Sequence, residues 1–542
     1  MIAAFAVAVL VKGHALLERP LYVDEEFGHI TWGRFWLEPK HVSQQAFFPC
    51  ERSPNPSIPL PVLAWGPQLL LSWLLNLSDD PRSFRYVGCT LFAGVLLFLA
   101  ATSQALIGKS SRGWPALLGA TLLFYGVAPF AGVLVRPEGF LTIILLAFVL
   151  LSMRRNPMSK GHTACVIVGI FVLLALFFPF HLKAAACFPL LAYCTWAGLR
   201  TSLSRRALGA VLAAMTVFAA ACSYNAISSG GCRDYPDEAH DYARTLQLVP
   251  ADFLRSPFQF ADDFFDNLSR SVDYFRIISF APRPHPWMFE FTDAAPQEAL
   301  MAYGWAWLAL SVVLLGTALV RVTIMGKRDV RSGLALIAYA TFVVLSGFSV
   351  VKWFYEPILA LPILLVANLA VLGGLQPSRA VRLLVGGAAC TTLALGCTSY
   401  FLVYPAERLH QTLGLGLRLD ESGDARRERL SKQATRLSAK CGVPLDARTR
   451  HLMVDYDTYR PAMHTQEPHI LTYELTLLHS GVRVEEALAH SDSAGILLHC
   501  AEAARLYLPH LVPYVQREGE VCCVNREGLL KGYEDLRREE KE

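Results

Sequence analysis

The sequence predicts a mainly α-helical fold: a polytopic membrane bundle of about eleven transmembrane helices, followed by a small α/β domain. Hydrophobic residues make up 54% of the 542 residues. Charged residues make up 17%, whereas soluble domains carry about 25%. The net charge of +4 is not gathered into a basic face interleaved with aromatic residues, which argues against a nucleic-acid partner.

Long apolar runs recur along most of the chain, and a helix needs about 20 such residues to cross a bilayer. The runs lie at roughly 2–17, 86–107, 115–134, 138–154, 162–180, 184–199, 206–227, 303–321, 332–350, 353–374 and 380–403. A further run, 58–77, contains three prolines and a glycine. Its composition leaves open whether it crosses the membrane or lies along its surface.

Loop charges favour the surface position for 58–77. If this run does not cross, the loops on one side are all basic and nearly free of acids, which marks them as cytoplasmic. These loops are 108–113, 153–162, 199–206, 321–331 and 376–382. The N-terminus is then inside the cell, and the C-terminus faces outside.

Two units follow from this topology. Residues 1–404 form the transmembrane domain, with large external loops at 18–85 and 228–302, and residues 405–542 form an extracytoplasmic α/β domain. Part of the second loop, 251–280, has the mixed pattern of an interfacial helix or of a small soluble subdomain. In the tail, the pattern predicts strands at 451–457, 494–500 and 519–525, and helices at 406–440, 467–481 and 503–512.

The chain has 13 cysteines, many of them within apolar runs, where they behave as small buried hydrophobic residues. Four others lie in the tail: Cys441, Cys500, Cys522 and Cys523. They can form disulfides if the tail is extracytoplasmic, but spacing alone does not give their pairing.

An acidic motif, "VDEEFGH", follows the first apolar run and contains Asp24, Glu25 and His29. Such acids can be a solvated cap that keeps the first helix from sliding inward. They can equally supply a general base that accepts a proton from a hydroxyl or amine. The predicted topology places them just outside the membrane.

Three short turns on the same predicted side carry cations. Each lies within a few residues of a predicted helix end, where a single Lys or Arg can simply anchor the helix to the interface. Together they suit a phosphate held opposite a carboxylate. The turns are "VRPEG" with Arg136 and Glu138, "FPFHLKAA" with His181 and Lys183, and "VVKWFYEP" with Lys352, Tyr355 and Glu356.

These motifs, in this order, resemble the C-type polytopic glycosyltransferases (GT-C), whose members include the lipid A aminoarabinose transferase and the protein O-mannosyltransferases. The resemblance depends on "VDEEFGH", on "RSFRYVG" with Arg85 after a large external loop, on "VRPEGF" and on "KWFYEPILALP". It extends over most of the chain, although each motif is short.

The resemblance implies an inverting transfer of a sugar from a polyprenyl-phosphate donor to a lipid, glycan or protein acceptor at the outer membrane face. It makes Asp24 the candidate base, with Glu25 assisting and Glu138 standing where relatives often have aspartate. Arg85, Arg136, Lys183 and Lys352 become candidate phosphate ligands, with His29, His181 and Tyr355 as further candidates. No cofactor is required, although some members use a divalent metal, which Asp24, Glu25 and His29 are suited to bind.

Two other functions remain open from the sequence. A transporter or flippase of a lipid-linked or anionic substrate would also place cations at the interface. A non-catalytic scaffold with a partner-binding tail would leave the three cationic turns unexplained. Ionisable residues in the middle of the spans would favour transport, but in this sequence they cluster at span ends. The lack of a lumenal retention signal favours a bacterial inner membrane with the site facing the periplasm.

Overall fold

We describe a computed structural model of the chain. It describes residues 82–107, 136–154, 156–178, 183–229, 244, 247–275, 294–324, 329–350, 352, 356–374, 423–443, 445, 451–454, 458, 470–472, 493–500 and 509–539. The predicted spans at 2–17, 115–134 and 380–403, and the run 58–77, lie outside these residues.

Most described residues of the transmembrane part lie in helices. The helices are α1 (Arg82–Ile107), α2 (Pro137–Ser152), α3 (Lys160–Phe177), α4 (Lys183–Leu199), α5 (Arg205–Ser229), α6 (Pro250–Arg255), α7 (Pro257–Ser269), α8 (Ala294–Thr323), α9 (Val330–Phe348) and α10 (Pro357–Gly374). A short 3-10 helix, Arg270–Phe275, follows α7. Each predicted span within the described residues coincides with one of these helices.

Six of the described helices are long and apolar enough to cross a membrane: α1, α3, α5, α8, α9 and α10. α2 is apolar but shorter, at 16 residues. The chain is therefore a multi-pass helical membrane protein. The predicted number of spans stays a prediction.

α10 is the central helix of the bundle, because its residues are buried on every side from Pro357 to Val371. It packs against α1, α2, α8 and α9. Gly373 lets α10 approach α1 closely, since a Cβ at this position would lie 2.1 Å from the carbonyl oxygen of Leu106. Small residues at such crossings are typical of membrane helix packing.

A neutral hydrogen-bond network joins three of the spans. Tyr339 of α9 donates to Asn368 of α10 over 2.5 Å, and Asn368 donates to Ser311 of α8 over 3.0 Å. Ser311 in turn donates to the carbonyl of Trp307. Because each of these polar groups is satisfied by its neighbour, the network fixes the three helices without placing a charge in the bilayer.

The tail contains a five-stranded mixed sheet in the order β2-β1-β3-β5-β4. Its strands are β1 (His451–Val454), β2 (Ile470–Thr472), β3 (Ser493–His499), β4 (Gln516–Glu518) and β5 (Val521–Asn525). β1 pairs in parallel with β2 and β3, while β5 is antiparallel to β3 and β4. Helix α11 (Gly423–Cys441) precedes the sheet, and α12 (Arg526–Glu539) follows it.

The core of the tail forms between α11 and one face of the sheet. Leu430, Ala434 and Leu437 of α11 pack against Leu497 of β3 and Val521 of β5. Apolar residues spaced three and four apart on α11 meet alternate residues of the strands, as expected where a helix covers a sheet.

The prediction of a helix over 467–481 is wrong for residues 470–472. Residues Ile470–Thr472 form β2 instead, in register with Leu452–Val454 of β1. Ile470 and Thr472 are β-branched, and pairing with β1 satisfies backbone groups that a local helical pattern does not report.

Two disulfides join the four tail cysteines, Cys441 to Cys523 and Cys500 to Cys522. Successive residues of a strand point to opposite faces of a sheet. Adjacent Cys522 and Cys523 therefore connect β5 to two different places: the end of α11 and the residue after β3.

Candidate functional site

The candidate site is an ionic cluster built at the ends of several helices. Glu138 lies in the first turn of α2, directly after Pro137, whose fixed φ favours the start of a helix. Lys183 is the first residue of α4, and Glu356 immediately precedes Pro357, which opens α10. The beginnings of three helices thus meet, and acids near helix N-termini are stabilised by the helix dipole.

Lys183 lies between two carboxylates. Its Nζ is 3.1 Å from Oε1 of Glu138 and 2.8 Å from Oε1 of Glu356. The side chains of Glu138 and Glu356 are 1% and 6% exposed. Buried carboxylates this poorly hydrated are stable as anions only beside a cation. The ammonium group therefore connects α4 to both α2 and α10.

Arg136 is a second cation beside Glu138. It is the N-cap residue of α2, and its Nε lies 3.8 Å from Oε2 of Glu138. Its side chain is 19% exposed and that of Lys183 is 16% exposed. These two cations have the accessible surface that an anion from outside would need.

Lys352 lies in the link between α9 and α10 and is fully buried. Its Nζ donates to the carbonyls of Ser349, over 2.7 Å, and of Ser346, both at the C-terminal end of α9. It also lies 5.4 Å from the centroid of the Tyr274 ring. A cation here complements the negative end of the α9 dipole.

Burial lowers the pKa of Lys352 to about 8, because desolvation disfavours its charged form. Glu356 acts in the opposite direction, and Arg270, Asp273 and Lys183 also contribute electrostatically. Lys352 therefore interacts electrostatically with Lys183 and Glu356, and with Arg270 and Asp273 of the 3-10 helix.

That 3-10 helix forms a further wall of the cluster. Arg270 Nε lies 3.6 Å from Oδ2 of Asp273, and Asp273 is 5% exposed. Burial also raises the pKa of the Tyr274 hydroxyl, which keeps it neutral. The 3-10 helix therefore adds one more acid and one more cation.

Four cations and three acids make up the cluster among the described residues. The members are Arg136, Glu138, Lys183, Arg270, Asp273, Lys352 and Glu356. Cations held in place by acids are suited to bind an anion such as a phosphate ester.

The structure brings together four of the residues singled out from the sequence: Arg136, Glu138, Lys183 and Lys352. Arg85 lies in the first turn of α1. The remaining candidates, Asp24, Glu25, His29, His181 and Tyr355, lie outside the described residues.

The sequence reasoning did not select Arg270, Asp273, Tyr274 or Glu356 as site residues. The first three come from a loop segment whose pattern indicated only an interfacial helix. A signal was present for Glu356, because it lies in the same "KWFYEP" turn as Lys352. Its neighbour Pro357 marks the start of a helix, where an acid is favoured.

No group of His, Cys, Asp or Glu side chains suited to a metal ion occurs within the described part of the chain. Two acids of the cluster, Glu138 and Glu356, are instead bridged by Lys183. The ligands suggested from the sequence, Asp24, Glu25 and His29, are outside the described residues.

Neither a family model nor a curated protein matches this sequence. Two solved structures align with the chain at low similarity. One is the Archaeoglobus fulgidus oligosaccharyltransferase in the apo form, at 12% identity over 91% of this chain and 69% of that chain, with a TM-score of 0.42. The other is the same protein in complex with Zn and sulfate, at 12% identity over 90% of this chain and 65% of that chain, with a TM-score of 0.46.

The chain thus spans about two thirds of the length of these archaeal structures. Because both TM-scores and identities are low, the functional proposal depends on the residues of the ionic cluster and on the sequence motifs.

Removal of the central cation should destabilise the bundle. We expect Lys183→Met to cost about 3–5 kcal/mol, because it removes the cation that the two buried carboxylates share. The triple variant Lys183→Met, Glu138→Gln, Glu356→Gln should recover most of this loss, since the two buried carboxylates are then replaced by neutral amides. Thermal unfolding in detergent micelles measures both. A single variant as stable as wild type would show that Lys183 does not neutralise the carboxylates.

The lowered pKa of Lys352 predicts a pH-dependent stability. Its ordinary pKa is 10.5, so the unfolded chain binds more protons here than the folded chain between about pH 8 and 10.5. Stability relative to Lys352→Met should therefore rise with pH through this window. Unfolding measured from pH 7 to 10.5 tests this, with Lys160→Met as a control at an exposed lysine. A difference independent of pH would contradict the lowered pKa.

Proposed function

We propose that the protein is an inverting glycosyltransferase that moves a sugar from a polyprenyl-phosphate donor to an acceptor at the outer face of the membrane. The observation that carries this proposal is the ionic cluster of Arg136, Glu138, Lys183 and Glu356 at the beginnings of α2, α4 and α10, in which two cations keep accessible surface. The acceptor is a lipid, a glycan or a protein.

The position of the cluster suits a lipid-linked donor. It lies where apolar helices end, so that a polyprenyl chain in the bilayer would bring its phosphate to the depth of Arg136 and Lys183. Both retain accessible surface, whereas Lys352 is enclosed and would act on a bound phosphate through space. Arg85, at the start of α1, would complete the set of phosphate ligands.

In the proposed reaction, a carboxylate removes the proton from the acceptor hydroxyl or amine. The acceptor then attacks the anomeric carbon, and the bond from that carbon to the phosphate oxygen breaks. Polyprenyl phosphate leaves with the electron pair, and the cations stabilise its developing charge. Attack from the face opposite the leaving group inverts the anomeric carbon without a covalent intermediate.

Asp24 is the proposed base, with Glu25 beside it, as the sequence resemblance implies. Glu138 is held by Lys183 and Arg136, so its proposed role is to orient these cations towards the phosphate. His29, His181 and Tyr355 are further candidates for contacts with donor or acceptor. A divalent ion bound by Asp24, Glu25 and His29 would assist departure of the phosphate as a Lewis acid.

Two features support an outward-facing site. Structural disulfides form in oxidising compartments, so the two disulfides of the tail favour an extracytoplasmic position. Basic residues also lie at the helix ends opposite the cluster, including Arg154 after α2, Arg200 after α4, Arg205 in α5 and Arg331 in α9, as expected for cytoplasmic loops. A bacterial inner membrane with a periplasmic site fits both features.

A transporter or flippase is the alternative. Transport of an anion favours ionisable side chains along the membrane interior. Within the described spans, the polar network among Tyr339, Asn368 and Ser311 is neutral and internally satisfied. The charges of the cluster lie at helix ends instead, which favours chemistry at the interface.

Removal of the proposed base should abolish transfer. We expect Asp24→Asn to lower the rate of sugar transfer by about 10²–10⁴-fold, the usual contribution of a general base. Protein reconstituted in lipid vesicles would receive radiolabelled polyprenyl-phosphate sugars and a membrane extract as acceptor. Asp262→Asn, at an exposed position of α7, is the matched control.

The outcomes separate the hypotheses. Loss of transfer in a folded Asp24→Asn variant supports the proposed base, and full transfer in it moves the base to another carboxylate such as Glu25 or Glu138. Absence of transfer from every donor, together with movement of the lipid across the bilayer, would establish the transporter instead.

Removal of Arg136, a partly exposed cation of the cluster, should weaken donor binding. A charge-assisted hydrogen bond contributes about 1.5–3 kcal/mol, so Arg136→Ala should raise the donor KM by about 10–100-fold. Arg136→Lys should retain part of the affinity, and Arg255→Ala, an exposed arginine of α6, should leave KM unchanged. An unaltered KM in Arg136→Ala would remove Arg136 from the phosphate site.

A further inference from the structure

Helix α7 presents three different faces. One face packs on the end of α9: the rings of Phe260 and Phe264 each lie 5.8 Å from that of Phe348, in edge-to-face geometry. Buried Asn267 donates to the carbonyl of Gly347 over 3.2 Å. Gly347 is required for this contact, because a Cβ there would lie 2.2 Å from the ring of Phe264.

A second face of α7 is apolar and exposed. Phe258 is 91% exposed and Phe265 is 64% exposed, and residues seven apart lie on the same side of a helix. Leu254, in the adjacent short helix α6, is 85% exposed. Large apolar side chains in such a row are costly in water.

The third face is acidic, with Asp263 and Asp266 both exposed. Asp262 is also exposed, but it comes four residues after Phe258 and so lies beside the apolar stripe. The helix therefore has an apolar stripe and a charged stripe on different sides of the face that contacts α9. This arrangement is typical of a helix that lies in a membrane interface, with one side in the acyl chains and the other in water.

The depth of α7 agrees with this position. α9 has 19 residues, so at 1.5 Å per residue it is about 28 Å long, close to the thickness of the hydrocarbon layer. Phe348 is its last residue and therefore lies at the boundary of that layer. α7 contacts α9 at Gly347 and Phe348 and so lies at the same depth.

We propose that α6 and α7 form an interfacial anchor, in which Leu254, Phe258 and Phe265 insert among the phospholipids of the leaflet that borders the ionic cluster. The bilayer is the occupant favoured by the structure, because α7 packs on the end of α9, at the depth where that apolar span meets the membrane boundary. Aromatic side chains are enriched at this depth of membrane proteins.

The anchor is connected directly to the candidate site. Ser269 ends α7, and the 3-10 helix that begins at Arg270 brings Asp273 and Tyr274 to Lys352. A lipid-held α7 therefore fixes one wall of the ionic cluster, while its contact with lipid can be measured without any turnover. Insertion of α7 into the bilayer therefore does not depend on the proposed transferase activity.

Photo-crosslinking tests the anchor in the full-length protein. Phe258→p-benzoylphenylalanine would be reconstituted in vesicles of phosphatidylcholine and phosphatidylglycerol, irradiated, and analysed by mass spectrometry for phospholipid adducts. Asp263→p-benzoylphenylalanine, on the acidic face of the same helix, is the matched control. We expect several-fold more adduct at position 258 than at 263, and a second probe at Phe265 should behave like that at Phe258.

Three results would overturn the anchor. The first is equal labelling at 258 and 263, or no lipid adduct at 258 or 265. The second is crosslinking of position 258 to another copy of the chain in place of lipid. The third is loss of the phospholipid adduct when polyprenyl phosphate is added, because the donor chain would then be the occupant.

Discussion

The Lys183 ammonium group, held between Glu138 and Glu356, is the interaction on which the rest of the candidate site depends. Two buried carboxylates would repel each other and lose their hydration, so neither is stable there as an anion without the cation. The three residues come from the beginnings of three helices far apart in sequence. Their contact therefore fixes where α2, α4 and α10 start relative to one another.

Charged and neutral polar groups lie at different positions along the helices of the bundle. In the middle of the described spans, neutral hydrogen bonds among Tyr339, Asn368 and Ser311 join α8, α9 and α10. Charged contacts lie at the helix ends: the Lys183 cluster at one end, and at the other the bond from Arg331 to the carbonyl of Gly373 and the Arg321–Asp329 pair. A charge is costly in hydrocarbon but less so at the interface, where water and helix dipoles stabilise it. The cost of holding charges together is thus confined to the two ends of the helices.

Much of the architecture follows from one-dimensional patterns. The helices α1, α3 and α10 coincide with apolar runs, because the length of a span is set by the bilayer. Arg136, Glu138 and Lys183 could be selected because they stand at the ends of such runs, and helix ends on one side of a membrane come close together. The sequence did not predict that Lys352 is buried against α9, because this contact depends on how the link between α9 and α10 folds.

Other features required three-dimensional contacts. Asp273 and Tyr274 belong to a segment without a clear period, and only the packing of α7 on α9 brings them to Lys352. The strand at Ile470–Thr472 forms because β1 lies beside it, and its local sequence also suits a helix. The pairing of the four tail cysteines likewise needed the register of β3 and β5.

The nested arrangement of the tail disulfides has a consequence for biogenesis. Cys500 and Cys522 are 22 residues apart, and their loop lies within the 82-residue separation of Cys441 and Cys523. Synthesis proceeds from the N-terminus, so Cys441 and Cys500 are both synthesised before either native partner. A premature bond between them must be resolved by thiol exchange. Oxidation that begins before Cys522 and Cys523 are available would therefore require isomerisation of disulfides as well as their formation.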